Sequence, residues 1–422
     1  MAAIPEHKDP TLAALDAVIE SANDSRPRPY LGASQIGQPC SRALWFSFRW
    51  TTQRHIPAAG LRRIQDGFRG EAVLIDWLRK VPDIELWTVD PENEENQIGI
   101  VDCGGHFRGH LDGVIQGLKQ APKTPHVWES KICNESKFNK LRKLITEKGE
   151  KNALKEWDET YYAQAQVYMR GTELTRHYLT VATPGCRDIV SCRTAYNKTD
   201  ADALIKKAET IIAAERPPLK ISETPAWYQC KFCDHHTLCH GQALPAVNCR
   251  TCAHSTATLD GDAAWQCEHH HKPLDIAAQH AACPNHVWHP DLLANHAEAI
   301  GANPKTGAIT FKRKDGTTVE IGLNATASRQ MLADSVPAPA APAPLEDEVL
   351  IELATDSAIP AEALLSGQVD EAEWPKFSQA VSGFWSRWNH DQPRMDRLKN
   401  LIGEIDSAYV GLMDTVEKRR AV

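Results

Sequence analysis

Glu129 and Lys131 stand one residue apart in His126–Ile132, a stretch that reads as a strand. Residues i and i+2 of a strand point to one face, so a carboxylate and an ammonium converge on one spot. Upstream, Asp112 lies in Gly109-His-Leu-Asp-Gly113, whose glycines let another group approach closely. If that strand pairs with the one holding Glu129, the two carboxylates can share a divalent cation. Hard oxygen ligands suit Mg²⁺ or Mn²⁺. Such an ion acidifies a bound water and neutralises phosphate charge, while Lys131 orients the water or steadies the developing charge. Gln164 and Tyr168, four apart on an expected helix, face one way and reach the same place. Glu71, in Gly67-Phe-Arg-Gly-Glu71, offers a further carboxylate from an N-terminal helix. A lone Glu-x-Lys at a strand edge is usually a solvated pair, so the order and company of these residues matter more than the pair.

The cysteines form two groups. Cys40 stands apart, and Cys230-Lys-Phe-Cys233-Asp-His-His-Thr-Leu-Cys239 follows the carboxylates. Zinc modules more often use two short Cys-x2-Cys knuckles; four thiolates in this sparse pattern fit a [4Fe–4S] cluster. Zinc in place of iron, or unligated buried thiols, are the alternatives. Such a centre would close the whole Cys40–Cys230 loop and act chiefly on the unfolded state. In the second group, Cys249 and Cys252 make a knuckle that Cys267 can join around Zn²⁺. Cys283 is the preferred fourth ligand, with His254, His269, His270, His271, His280 and His286 nearby. Cys103, Cys133, Cys186 and Cys192 sit in strand-like stretches and read as ordinary thiols.

The 422 residues, 42% hydrophobic, can fill two or three domains. No apolar run is long enough for a membrane span, and the charged N-terminus lacks a signal-peptide core. An intracellular, cytoplasmic location is therefore expected, where clustered cysteines point to metal rather than disulfides. The net charge of −8 argues mildly against a nucleic-acid partner, but the acidity is confined to the second half. Residues 1–240 hold 32 Lys+Arg against 31 Asp+Glu; the remainder holds 15 against 24. Lys137, Lys140, Arg142, Lys143 and Lys148 form a basic run just after Lys131, continued by Lys151 and Lys155. It is either a phosphate-contacting face or a solvated one.

To position these groups the chain needs a mixed α/β sheet with helices on its faces. Expected helices are 11–22, a short one capped by Ser34 and carrying Cys40, then 61–79, 135–147, 155–170 and 199–215. Expected strands are 97–103, 106–115, 126–132, 177–182 and 188–194. Residues 306–323 suit a hairpin turning at Asp315-Gly316, and 337–344 are a Pro/Ala linker. Two Trp-rich helices, 371–390 and 394–420, follow. The expected division is 1–242, with both the carboxylates and the first thiol group; 243–300, a zinc module; 301–335, a hairpin extension; 336–348, a linker; and 349–422, a helical region.

Taken in order, Glu71, Asp112, Glu129/Lys131 and Gln164/Tyr168 resemble the motifs of the PD-(D/E)XK nuclease superfamily, specifically its RecB-like branch, over roughly residues 30–242. The resemblance implies a restriction-endonuclease-like core and catalytic roles for these six residues. Asp112, Glu129 and Glu71 would hold the Mg²⁺ or Mn²⁺. Many relatives have His where Glu71 stands, and His106 or His110 could take part instead. Cys40 with Cys230, Cys233 and Cys239 is similar to the pattern of iron–sulfur RecB-like exonucleases, those of CRISPR adaptation and the AddB nuclease domain. That implies a structural cluster whose loss weakens DNA binding. The Cys-rich extension resembles those of phage-encoded nuclease-like proteins.

The expected function is a metal-dependent DNA exonuclease acting at single-stranded or frayed ends, in recombination, repair or phage DNA metabolism. The alternative is a DNA-binding accessory protein with an inactive nuclease site; a redox or sensor role for the cluster is the third reading. DNA is the expected partner. The Trp-rich helices suit a recombination or annealing protein, a second copy of the chain, or simply each other.

Overall fold

The computed structural model describes residues 9–24, 26–322, 328, 347–366 and 371–408. They fall into two compact units, Met1–Ser335 and Val336–Val422. The Pro/Ala run at 337–344 and the end of the last expected helix lie outside the described residues.

In the first unit, α1 (Pro10–Ser21) is started by Asp9, which accepts from two backbone amides, and by proline in the first turn. Strand β1 (Leu31–Gly32) leads through a 3₁₀ turn to α2 (Ser41–Phe48). The expected short helix therefore begins later than Ser34, which lies inside the 3₁₀ turn; Cys40 is the N-cap of α2. Next come α3 (Ala58–Arg79), β2 (Glu85–Trp87) and β3 (Gly99–Asp102). Of the expected apolar stripe on α3, Leu74 is buried but Ile64 and Phe68 are exposed.

The single strand expected over 106–115 is two: β4 (Phe107–His110) and β5 (Gly113–Gln116). They belong to different sheets, β4 between β1 and β3, β5 between β2 and β6 (His126–Ile132). Leu111 and Asp112 make the step between them. The helix expected over 155–170 is also broken. After α4 (Glu135–Lys148), α5 (Ala153–Trp157) stops at Asp158, whose side chain caps α6 (Glu159–Thr172). Strands β7 (Arg176–Ala182) and β8 (Ile189–Ala195) and helix α7 (Lys198–Ala213) complete this part. Of the four cysteines expected in strand-like stretches, only Cys192 lies in a strand.

The main sheet runs β2-β5-β6-β7-β8, antiparallel except for the parallel β6–β7 pair. Alternation gives it a core on each face. Val127, Leu179 and Val181 join Phe138, Leu141, Val167 and Met169 under α4–α6. Trp128, Ile115 and Ala182 meet Leu74 of α3 on the other side.

Residues 243–321 cover one end of the same unit. Short helices α8 (Tyr228–Lys231) and α9 (His236–Cys239) precede a meander, β9 (Ser255–Ala257), β10 (Trp265–Cys267) and β11 (Lys272–Leu274). Helix α10 (Ile276–Ala281) follows. Trp265, Cys267 and Leu274 share the core that holds Trp45 and Phe48 of α2. Strands β12 (Ala297–Ala302), β13 (Ile309–Arg313) and β14 (Thr318–Ile321) form a second meander. Its last turn uses Gly316 at φ +86°, with the Gly316 amide donating to the Arg313 carbonyl at 3.0 Å.

The second unit has more helix than the two segments expected: Glu348–Ser357 and Ala361–Ser366 precede Trp374–Trp388 and Gln392–Ala408. Leu350, Leu353, Phe377, Phe384 and Leu398 form its core, and Trp388 Nε1 donates to Glu352. No helix among the described residues is long and apolar enough to cross a membrane.

Candidate active site

The step at Leu111–Asp112 sets the site. The β5–β6 ladder ends at Gly113↔Trp128. Beyond it the Ser130 amide has no strand partner, and it donates to Asp112 Oδ2 at 2.8 Å. Asp112 is thereby held beside Glu129 and Lys131. These two point together toward α6, as their spacing dictates, and form an ion pair. From α6, Gln164 Nε2 donates to Glu129 Oε1 at 2.9 Å and to the Tyr168 hydroxyl at 3.1 Å. Tyr168 in turn donates to the His110 carbonyl at 2.7 Å. Gly109 makes room for that ring: a Cβ there would lie 2.5 Å from Tyr168 Cε1. Gly70 does the same for α3, since a Cβ would lie 2.4 Å from Ile132 Cδ1. That close approach brings the next residue, Glu71, toward the end of β6.

Electrostatics confirm the proximity. Burial, reinforced by the charge of Asp112, pushes the Glu71 carboxyl up to about 7, against the pull of Lys131. Glu129, buried, is also raised: desolvation and the charges of Asp112 and Glu71 outweigh Lys131. Burial works against the Lys131 ammonium, yet Glu129 and Asp112 more than compensate and keep it charged. Three crowded carboxylates with one cation leave a deficit of positive charge. Glu129 Oε2 is buried without a hydrogen-bond partner. An orphaned carboxylate oxygen among hard oxygen donors fits a divalent cation.

Sequence reading missed three neighbours. Lys131 Nζ lies 5.2 Å from the centre of the Tyr161 ring, and Lys137 covers the same ring at 4.5 Å and Trp157 at 4.9 Å. Asp158 pairs with Lys137 at 2.7 Å. Tyr161 sits three residues before Gln164 on α6, so helical periodicity could have found it. Neither histidine offered as a substitute for Glu71 supplies its ring. His106 packs edge-on to Phe48 and Trp265 and meets the Thr258 carbonyl at 3.0 Å. His110 gives its carbonyl to Tyr168.

The basic run on α4 is largely paired. Lys148 bonds Glu156 at 2.6 Å, Lys143 lies 3.7 Å from Glu147, and Lys140 reaches the Trp157 carbonyl at 3.4 Å. Arg142 sits over Phe138.

Cys40, Cys230, Cys233 and Cys239 line one cavity of about 400 Å³, with Arg42 and Lys220 on its wall. The His235 amide donates to Cys233 Sγ at 3.4 Å. Burial raises the thiols of Cys230, Cys233 and Cys239, and each is close enough to feel Cys40. In the module, Cys249 feels Cys252, Cys283 and Cys267 in that order, after burial. The His270 amide donates to Cys267 Sγ at 3.4 Å. Among the described residues no three His, Cys, Asp or Glu side chains close tightly enough to hold a metal ion. The first group surrounds a cavity rather than a point. A cluster needs such a space, because it spreads its thiolates around a cube of iron and sulfide.

No protein-family model matches the chain, and no curated protein matches it. Solved structures give partial likenesses. SSO0001 superposes with a TM-score of 0.33 at 14% identity, over 56% of this chain and 98% of its own. LHK-Exo in complex with dAMP gives 0.30 at 12%, over 48% and 91%. An alkaline exonuclease, LHK-Exo from Laribacter hongkongensis, gives 0.30 at 13%, over 47% and 91%.

Proposed function

We propose that the chain is a metal-dependent DNA exonuclease of the PD-(D/E)XK type, hydrolysing phosphodiester bonds at single-stranded or frayed ends. The observation that carries this is the unpartnered, buried Glu129 Oε2 beside Asp112, Glu71 and Lys131. Asp112, Glu129 and Glu71 would hold Mg²⁺ or Mn²⁺, which supplies charge neutralisation at the phosphate and an acidified water. The rest is done by the chain. Glu129 and the Tyr161 ring hold the Lys131 ammonium at the strand end, where it can stabilise charge on the phosphate oxygens. Gln164 fixes the rotamer of Glu129, leaving Oε2 free, and Tyr168 fixes Gln164. The substrate backbone would run over α4, where Lys140, Arg142 and Lys143 have no buried partner to leave.

In this reading Cys40, Cys230, Cys233 and Cys239 carry a [4Fe–4S] cluster that ties the start of the core to its end. Cys249, Cys252, Cys267 and Cys283 carry a structural Zn²⁺. Both are supported by shared surroundings and by amide donors to sulfur, which stabilise thiolates. The test uses end-labelled single- and double-stranded DNA with Mn²⁺ or Mg²⁺. Wild type should release mononucleotides or short products. Asp112→Ala, Glu129→Gln and Lys131→Ala should each lose at least about 100-fold while still binding DNA. Full activity in Glu129→Gln removes the proposal.

A further inference from the structure

Two arginines are buried where the Cys-rich segment meets α2. Arg250 is 0% exposed and Arg49 4%. Arg250 directs Nη1 to the Phe48 carbonyl at 3.0 Å, Nη2 to the Pro29 carbonyl at 2.9 Å and Nε to Gln279 Oε1 at 2.8 Å. Its guanidinium lies 3.8 Å from the centre of the Trp50 ring and 4.8 Å from that of Trp265. Arg49 sits over Trp45 and the same Trp265 at 4.8 and 5.4 Å, and its Nη1 donates to the Arg250 carbonyl at 3.1 Å. Arg49 Nε is buried without a partner. Among the described residues, neither guanidinium has a carboxylate within ion-pair distance.

Carbonyls and rings solvate a cation but do not cancel its charge. Two guanidiniums this deep and this close repel each other, and desolvation costs several kcal/mol per ion, by general estimates. A negative group must lie nearby. The candidates on the page are thiols. Arg49 Nη1 meets the backbone of residue 250, which lies between Cys249 and Cys252. It also reaches the Ser255 carbonyl at 3.5 Å, and Ser255 pairs with Cys267 across the β9–β10 ladder. Gln279, the partner of Arg250, follows Ala278, whose carbonyl receives the Cys249 thiol at 3.3 Å.

Resting on the zinc reading above, we propose that the Arg49–Arg250 pair is the built-in counter-charge of the module's metal centre. Four thiols bind one Zn²⁺ by releasing four protons, leaving a tetrathiolate with two negative charges. Two guanidiniums balance it. With the metal gone and the thiols protonated, the same pair is uncompensated. Metal loading thus decides whether the 246–290 segment is seated on α2.

The test uses the full-length protein, with zinc affinity measured by competition against a chromophoric chelator and melting followed with and without zinc. Arg49→Gln removes one charge at similar size; Arg49→Lys keeps it. The Gln variant should bind zinc about 10- to 100-fold more weakly, the scale of outer-shell losses. The Lys variant should retain most of the affinity. Without zinc the order inverts: Arg49→Gln should melt higher than wild type, because an uncompensated charge is gone. Equal zinc affinity in wild type and Arg49→Gln overturns the counter-charge and leaves the zinc reading standing. So does a Lys variant that binds as weakly as Gln. A wild type that takes up no zinc, with a melt that zinc does not move, overturns the zinc reading and the proposal with it.

Discussion

Gly109→Ala tests the link between packing and the active site. The new methyl would sit 2.5 Å from Tyr168 Cε1 and 2.6 Å from Ala33 Cβ. Both walls are firm: Ala33 is fully buried in its 3₁₀ turn, and Tyr168, 2% exposed, is pinned at its hydroxyl. Relief requires the gap to open by about 1 Å, which in a close-packed core costs ~1–3 kcal/mol. If the ring moves, its bond to the His110 carbonyl is lost, adding ~1 kcal/mol. The expected loss of stability is therefore ~2–4 kcal/mol, measured by urea unfolding of the full chain. The Tyr168 hydroxyl also anchors Gln164, which holds Glu129. A displacement of that size at a reacting group costs about 100-fold in rate. Combining Gly109→Ala with Tyr168→Leu removes one wall of the clash, so the second substitution should recover ~1–2 kcal/mol relative to additivity. A single variant within ~0.5 kcal/mol of wild type, or strict additivity in the pair, would refute the spacing role of Gly109.

Metal affinity and cleavage should rise as pH climbs through about 7, where Glu71 gives up its proton. Because its folded pKa lies above the ordinary carboxylate value, the metal-free protein should lose stability over the same climb. A pH series of Mn²⁺ titrations and melts checks both signs, and Glu71→Gln should flatten them. Protein purified without oxygen should be brown, and Cys40→Ala should bleach it as fully as Cys233→Ala; retained iron in Cys40→Ala breaks the clamp. Neutralising Lys140, Arg142 and Lys143 should flatten the salt dependence of DNA binding by about one log unit per lost contact. Lys137 and Lys148, already held by Asp158 and Glu156, should change it less, which titrations at several salt concentrations will show.

The chemistry of the site was legible because strand and helix periodicity are local rules. Glu129 and Lys131 had to share a face, and Gln164 and Tyr168 had to share another. The break at Leu111–Asp112 was not legible: residues 106–115 read as one strand, and only the pairing partners of each half separate them. Asp158 was likewise hidden inside an apparently continuous helix, although an Asp two residues before a helical Tyr is a capping signal. The exposed Ile64 and Phe68 on α3 show the limit of periodicity, which finds a face without saying how much of it is covered. The buried arginines were invisible for a different reason. No rule of composition places Arg49 and Arg250 inside, since their burial depends on aromatic rings brought from distant segments.

Helix α2 now acquires a mechanical meaning. Cys40 caps its first turn and Arg49 its last, so one thiol group is fastened at each end of a rod ~12 Å long. Its interior residues Leu44, Trp45 and Phe48 are locked in the core and leave it little freedom to bend. Tilting either end therefore tilts the other. Occupancy at the Cys40 cavity and at the Cys249 group should show a reciprocal coupling free energy, each ion or cluster binding more tightly when the other is in place. Reconstitution of this protein would then proceed cooperatively, with half-loaded species scarce.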